Sequence, residues 1–141
     1  MLNKPLIEKK LRKIEDYLHE LRLAQHVNTL EEFKKDIVAK RFIERNIELA
    51  IEQVIDICKH FVAGLDLKEP ETYSECFDIL SENKIISSEY LGTFKNMARF
   101  RNILIHTYDS VDDSITYGIY KQRLGDFKVF VREIRDYLVK N

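Results

Sequence analysis

Ile7, Leu11, Ile14, Leu18 and Leu21 recur at spacings of four, three, four and three, which draws one apolar seam along a helix. Asn3 and Pro5 suit its first turn, because an Asn side chain accepts from an orphan amide and a Pro has no amide to satisfy. The helix is predicted to run to about Gln25. Thr29 with Glu32 three residues on forms a capping box, so a new start is predicted at Leu30, with a second one available at Asp36. Beyond it Phe42, Ile43, Ile47, Ala50, Ile51, Val54, Ile57 and Phe61 predict a long helix, ending where Gly64 can take the left-handed position. Its stripe is wide enough to meet partners on more than one side. Glu48, Glu52, Asp56 and Lys59, three or four apart, read as its solvated face, and His60 as a structural residue near its end.

Gly64 and Pro70 mark a short connection, and Thr72 with Glu75 predicts a helix from there to about Ser81. Asn83-Lys84 interrupts it. Ser87 or Ser88 then caps a helix carrying Tyr90, Leu91, Phe94, Met97, Ala98 and Leu104, which runs into the stretch Arg101–Tyr108. After the polar residues Asp109, Asp112, Asp113 and Ser114, a last helix is predicted from Ile115, Tyr120, Leu124, Phe127, Val131, Ile134 and Leu138. Gly118 and Gly125 inside it either admit a close neighbour or simply weaken it.

Composition agrees with an all-α fold: 33% of residues are charged and 45% apolar, with four Gly and two Pro. At 141 residues the chain suits one domain with a real core, residues 1–141. A formal net charge of −1 excludes a global positive field, so any RNA contact has to be local. Cys58 and Cys76 lie in apolar helical patterns without metal spacing and read as buried reduced thiols. The charged stretch Met1–Lys13 has no apolar core of a signal peptide, and no run approaches a membrane span, so the expectation is a soluble cytoplasmic protein with no membrane partner.

Candidate chemistry concentrates in Arg101-Asn102-Ile103-Leu104-Ile105-His106-Thr107-Tyr108, which combines a guanidinium, an amide, an imidazole and a phenol. At about 100° per residue, taking Arg101 as zero puts Asn102 near about 100°, His106 near about 140° and Tyr108 near about 340°, an arc of about 160°. Asn102 and His106 form an i, i+4 pair that can touch. Arg12 and His19 make a looser pair without the Asn and Tyr, on an ordinary amphipathic helix. The plain alternative for Arg101–Tyr108 is a helix terminus with half-buried His and Tyr and a salt-bridged Arg.

Residues 97–108 resemble the signature of the HEPN superfamily, in the branch of HepT-like ribonuclease toxins. Ile47–Ile57 resembles that family's long second helix, and Pro70–Leu80, with Tyr73, Phe77 and Leu80, its following segment. The likeness spans most of residues 37–138. Arg99 departs from it, standing where a small residue, usually Gly, is expected. The resemblance implies a HEPN-type up-and-down helical bundle of about five helices, paired as a homodimer with the motif helices meeting near the subunit interface. It implies a toxin of a type II toxin–antitoxin system, a metal-independent endoribonuclease without a cofactor, with Arg101 and His106 catalytic and Asn102 and Tyr108 supporting.

It also implies an MNT-type nucleotidyltransferase antitoxin that silences the toxin by AMPylation of Tyr108. The residue types suit this chemistry. Imidazoles titrate near neutrality and serve proton transfer at a ribose hydroxyl, and a guanidinium gives a phosphorane two-point contact. The alternative class is a catalytically silent HEPN binding module that docks a nucleotidyltransferase or a nucleotide, which the near-neutral charge favours.

Overall fold

In the computed structural model, which describes residues 1–106 and 111–141, five short polar residues ahead of apolar runs accept from the amides they face. Asn3 Oδ1 accepts from the Leu6 amide at 3.1 Å and opens α1, Lys4–Glu20, which tightens into a 3₁₀ turn over Leu21–Ala24. Thr29 Oγ1 accepts from the Glu32 amide at 3.1 Å and starts α2, Leu30–Lys35. Asp36 Oδ1 accepts from the Ala39 amide at 3.0 Å and starts α3, Ile37–Gly64. Thr72 Oγ1 does the same for the Glu75 amide at 3.0 Å, opening α4, Tyr73–Glu82. A 3₁₀ turn, Ser88–Tyr90, leads into α5, Leu91–His106. Asp112 caps α6, Asp113–Gln122, and α7 is Gly125–Lys140. Every regular element among the described residues is thus a helix.

Helix α3 is the axis. It packs against α1, α2, α4, α5 and α6, which is why its apolar stripe is so broad. Ile43, Ile47, Val54, Ile57 and Phe61 on it are fully buried, within one connected apolar core. Asn46, only 5% exposed, is the polar exception, donating to the Tyr17 carbonyl at 3.0 Å and the Glu20 carboxylate at 2.9 Å. It thereby satisfies acceptors in the last turn of α1. At the other side of the bundle Phe94 meets Phe130 edge-on at 5.3 Å and Phe77 at 6.2 Å, so rings from α4, α5 and α7 lock the N-terminal half of α5 in place. No helix among the described residues is long and apolar enough to cross a membrane.

Four expectations change. The count of about five helices becomes seven α-helices among the described residues, because α2 stands apart from α3 and the last predicted helix is two. It breaks at Arg123, with φ −119° and ψ 4°, so that α6 can lie on α2 and α3 while α7 lies on α1 and α5, which one straight rod cannot do. A Cβ at Gly118 or Gly125 would meet nothing within 4 Å, so these glycines mark low helix propensity, not close approach.

Gly64 does not adopt the left-handed conformation; Asp66 does, with φ 54°. Gly64 is instead needed for space, since a Cβ there would lie 3.1 Å from Leu2 Cα and 3.3 Å from the Met1 carbonyl oxygen. Neither Ser87 nor Ser88 supplies the expected side-chain cap: the Ser87 hydroxyl makes no cap bond, and the Ser87 amide donates to Glu133 Oε1 at 3.0 Å. The face Glu48, Glu52, Asp56, Lys59 is no plain solvated surface either. Asp56 pairs with Lys10 at 3.0 Å, and Glu52 turns toward α5.

Candidate functional site

The apolar stripe of α5 runs Phe94, Met97, Ala98 and Leu104, all buried, and Arg101 occupies the stripe position between Ala98 and Leu104. A cation is therefore set into the seam that faces α3. Its side chain is 21% exposed, and one terminal nitrogen lies 3.5 Å from Glu52 Oε1 on α3. The guanidinium carbon sits 5.8 Å from the centre of the Tyr73 ring, at the start of α4. An ion pair this long is a loose one. It holds Arg101 in position without saturating it, and Arg101 Nε is buried with no hydrogen-bond partner among the described residues.

Arg101 lines a cavity of about 290 Å³ with Glu52, Gln53, Ile55, Asp56, Lys59 and Tyr73. A neighbouring cavity of about 590 Å³, bounded by Lys59, Tyr73, Cys76, Pro70, Thr72 and Asn102 among others, shares Lys59 and Tyr73 with it. Lys59 is exposed, with its ammonium 4.8 Å from the centre of the Tyr73 ring. Both cavities therefore meet at one aromatic wall carrying two cations.

Of the residues predicted from sequence, Arg101 and Asn102 come to adjoining walls. Asn102 is exposed, and His106 is exposed as the last residue of α5. Five residues of helix put His106 about 7.5 Å further along the axis than Arg101. No side-chain hydrogen bond joins Asn102 to His106 among the described residues, although their i, i+4 spacing lets them touch. The plain alternative is half right: Arg101 is ion-paired, but His106 is not half-buried. Tyr108 lies outside the described residues. Arg12 and His19 are both exposed on α1, as an ordinary amphipathic helix requires.

The family model described as "Ribonuclease HepT-like" matches residues 7–134. The chain belongs to the HepT-like family. Among curated relatives, the mRNA nuclease HepT of Shewanella oneidensis is 26% identical over 114 residues, covering 81% of this chain and 86% of that protein. The tRNA nuclease HepT of Aphanizomenon flos-aquae is 26% identical over 134 residues, covering 95% and 90%. A solved structure of the tri-AMPylated Shewanella oneidensis HEPN toxin in complex with MNT antitoxin superposes with a TM-score of 0.83 at 24% identity, covering 92% of this chain and 96% of that one. That likeness shows the fold.

In this HepT-like chain, periodicity placed Glu52 and Lys59 on a solvated face and gave no role to Gln53 or Tyr73, yet all four line the same cavity as Arg101. One local signal was available: an Arg where the α5 stripe calls for an apolar residue implies a partner across the seam. Arg99 is exposed and donates to Asn96 Oδ1 of its own helix at 2.9 Å, so the departure from a small residue leaves core packing untouched.

Proposed function

We propose that this chain is the toxin of a toxin–antitoxin pair and cuts RNA without a metal ion, with Arg101 and His106 as the catalytic residues. The observation that carries the reading is the poised state of Arg101, half-buried against Glu52 and Tyr73 with a buried N–H directed to no described partner. Membership of the HepT-like family and the nuclease relatives support it. In the reaction the ribose 2′-oxygen bonds to the adjacent phosphorus and the P–O5′ bond breaks. The 2′-hydroxyl proton passes to one His106 and the leaving 5′-oxygen takes a proton from a second imidazole, while Arg101 contacts the charge-rich phosphorane.

A second imidazole implies a homodimer. Ile103, 46% exposed between Asn102 and Leu104, puts apolar surface beside the motif where a second subunit can cover it. Asn102, on the adjoining wall, supports by contacting a phosphate oxygen. Tyr108, two residues past His106, is the modification site: an MNT-type nucleotidyltransferase transfers AMP from a nucleoside triphosphate to its phenolic oxygen, with pyrophosphate leaving. The added phosphate then competes for Arg101.

Purified unmodified protein incubated with RNA in excess chelator tests this reading. Wild type is expected to cleave and His106→Ala to lose cleavage; equal cleavage by the two overturns the mechanism. An inactive wild type that binds a nucleotidyltransferase tightly, with binding kept in His106→Ala, selects a silent docking module, which the net charge of −1 favours.

A further inference from the structure

Helices α1 and α7 lie side by side and antiparallel. Lys4 Nζ donates to the Leu138 carbonyl at 3.2 Å, and Arg135 donates to Glu8 at 2.7 Å and to Glu15 at 2.8 Å, so the start of α1 meets the end of α7. Between the two helices runs an open groove of about 600 Å³ whose walls share no residue with the cavities around Tyr73. Leu18 and Val131 form its floor, and Arg22, Lys128, Arg132 and Arg135 bring four permanent cations to it against two carboxylates, Glu15 and Asp136. The chain as a whole carries a formal charge of −1, so a groove of the opposite sign is a local departure.

The charges divide along its length. At one end Arg135 is spent on Glu8 and Glu15, with Asp136 beside it. Lys128 lies eight residues back along α7, about 12 Å down the axis and beyond the screening length of about 8 Å at physiological salt, so Asp136 does not cancel it. His19 and Arg22, from the last turn of α1 and the 3₁₀ turn after it, face that end from the opposite wall. The side chains of Arg22, Lys128 and Arg132 are exposed and make no ion pair or hydrogen bond among the described residues. Five of the nine arginines pair with a carboxylate, and two of the other four, Arg22 and Arg132, come to this one groove. Unspent guanidinium forks on two walls suit an anion that lies between them.

The floor decides which anion. Val131 is 5% exposed and Leu18 only half-buried, so a protein partner finds little apolar surface on which to anchor. No aromatic ring lines the groove, so bases have nothing to stack on. What remains is charge at spaced points, with Lys128 and Arg132 one helical turn apart, as a phosphodiester backbone requires. We propose that the groove between α1 and α7 binds the backbone of a single-stranded RNA away from the cutting site, its phosphates held by Arg22, Lys128 and Arg132. The inference rests on the RNA-cleaving reading for the choice of polyanion. It adds a second hold on the substrate, independent of sequence, for a chain without a global positive field.

The test follows, by fluorescence anisotropy, the binding of a labelled 2′-O-methyl RNA of about 20 nucleotides to the full chain between about 50 and 200 mM salt. The methyl group removes the attacking hydroxyl, so the strand stays whole. Three phosphate contacts contribute about −2 to the slope of log affinity against log salt, about −0.7 each. Arg22→Gln with Arg132→Gln removes two of them and is expected to flatten the slope by about 1.4 and to weaken binding about tenfold at about 0.15 M salt. Lys128→Gln, made separately, is expected to flatten it by about 0.7. All three side chains are exposed and unbonded, so the melts are expected to match wild type. Lys35→Gln with Arg45→Gln removes the same charge from another face and is expected to leave binding within about twofold.

A wild type that does not bind the strand, or a slope unchanged in both groove variants, overturns the inference. So does equal weakening in the control, which would leave net charge as the cause. Polyglutamate of equal charge that displaces the strand one for one makes the groove a site for an acidic protein segment and overturns the assignment to RNA. If the groove variants lose binding but wild type leaves unmethylated RNA intact, the groove stands and the nuclease reading falls. If wild type cuts RNA while the groove variants bind as it does, the reverse holds.

Discussion

Replacing Arg101 by Lys keeps a positive charge at the cavity and removes everything else that Arg101 brings. The ammonium is a point charge without a planar fork, so the buried Nε donor disappears, as does the guanidinium packed 5.8 Å from the Tyr73 ring. Losing one donor that acts on transition-state charge costs about 2.7–4 kcal/mol, or about 10²–10³ in kcat. The folded state loses much less. The Glu52 pair is long at 3.5 Å and its partners are 21% and 32% exposed, so Arg101→Lys should cost at most about 1 kcal/mol, or about 2–4 °C in Tm. The assay is multiple-turnover cleavage of a short RNA beside a thermal melt of the same preparation. Cleavage should fall by about two to three orders of magnitude, in kcat more than in KM, while Tm barely moves. Cleavage within threefold of wild type would show that the fork is not used, and a fall matched by a collapse of Tm would make Arg101 a structural residue.

Two further outcomes follow from the fold. Asn46→Ala removes both donations to the end of α1 and should destabilise the protein by about 2 kcal/mol, or about 4–8 °C in Tm, read from a thermal melt; an unchanged Tm would mean that those acceptors find solvent instead. The hydrogen bond from Arg135 holds the Glu15 carboxyl below its ordinary value of 4.5, so Glu15 stabilises the folded chain above that pH and the contribution is lost as pH falls through the lower folded value. Tm of Glu15→Gln, measured against pH beside wild type, should therefore show a gap at neutral pH that closes in acid. A gap that persists unchanged in acid would refute the assignment.

The sequence by itself determined the helices and most of their starts. Asn3, Thr29, Asp36, Thr72 and Asp112 all accept from amides one turn on, because capping is settled between residues two or three apart. The core was legible for the same reason: Ile7, Leu11 and Ile14 are buried because a period near 3.6 puts them on one side, whatever lies opposite. Local rules did not reach the break at Arg123, which the differing partners of α6 and α7 impose. Nor did they reach the use of Gly64, whose neighbour in space is Leu2.

The motif residues were also visible in the sequence, as types at a spacing, and their family likeness with them. Their setting was decided only by the tertiary structure. Arg101 meets Glu52 across a separation of 49 residues, and Tyr73 arrives from a third helix. An ion pair or a ring contact across helices leaves no period in either strand of sequence, so Glu52 looked solvated and Gln53 unremarkable until α3, α4 and α5 closed on one another. What burial added was the difference between an arginine near a histidine and an arginine held in a seam with a donor to spare.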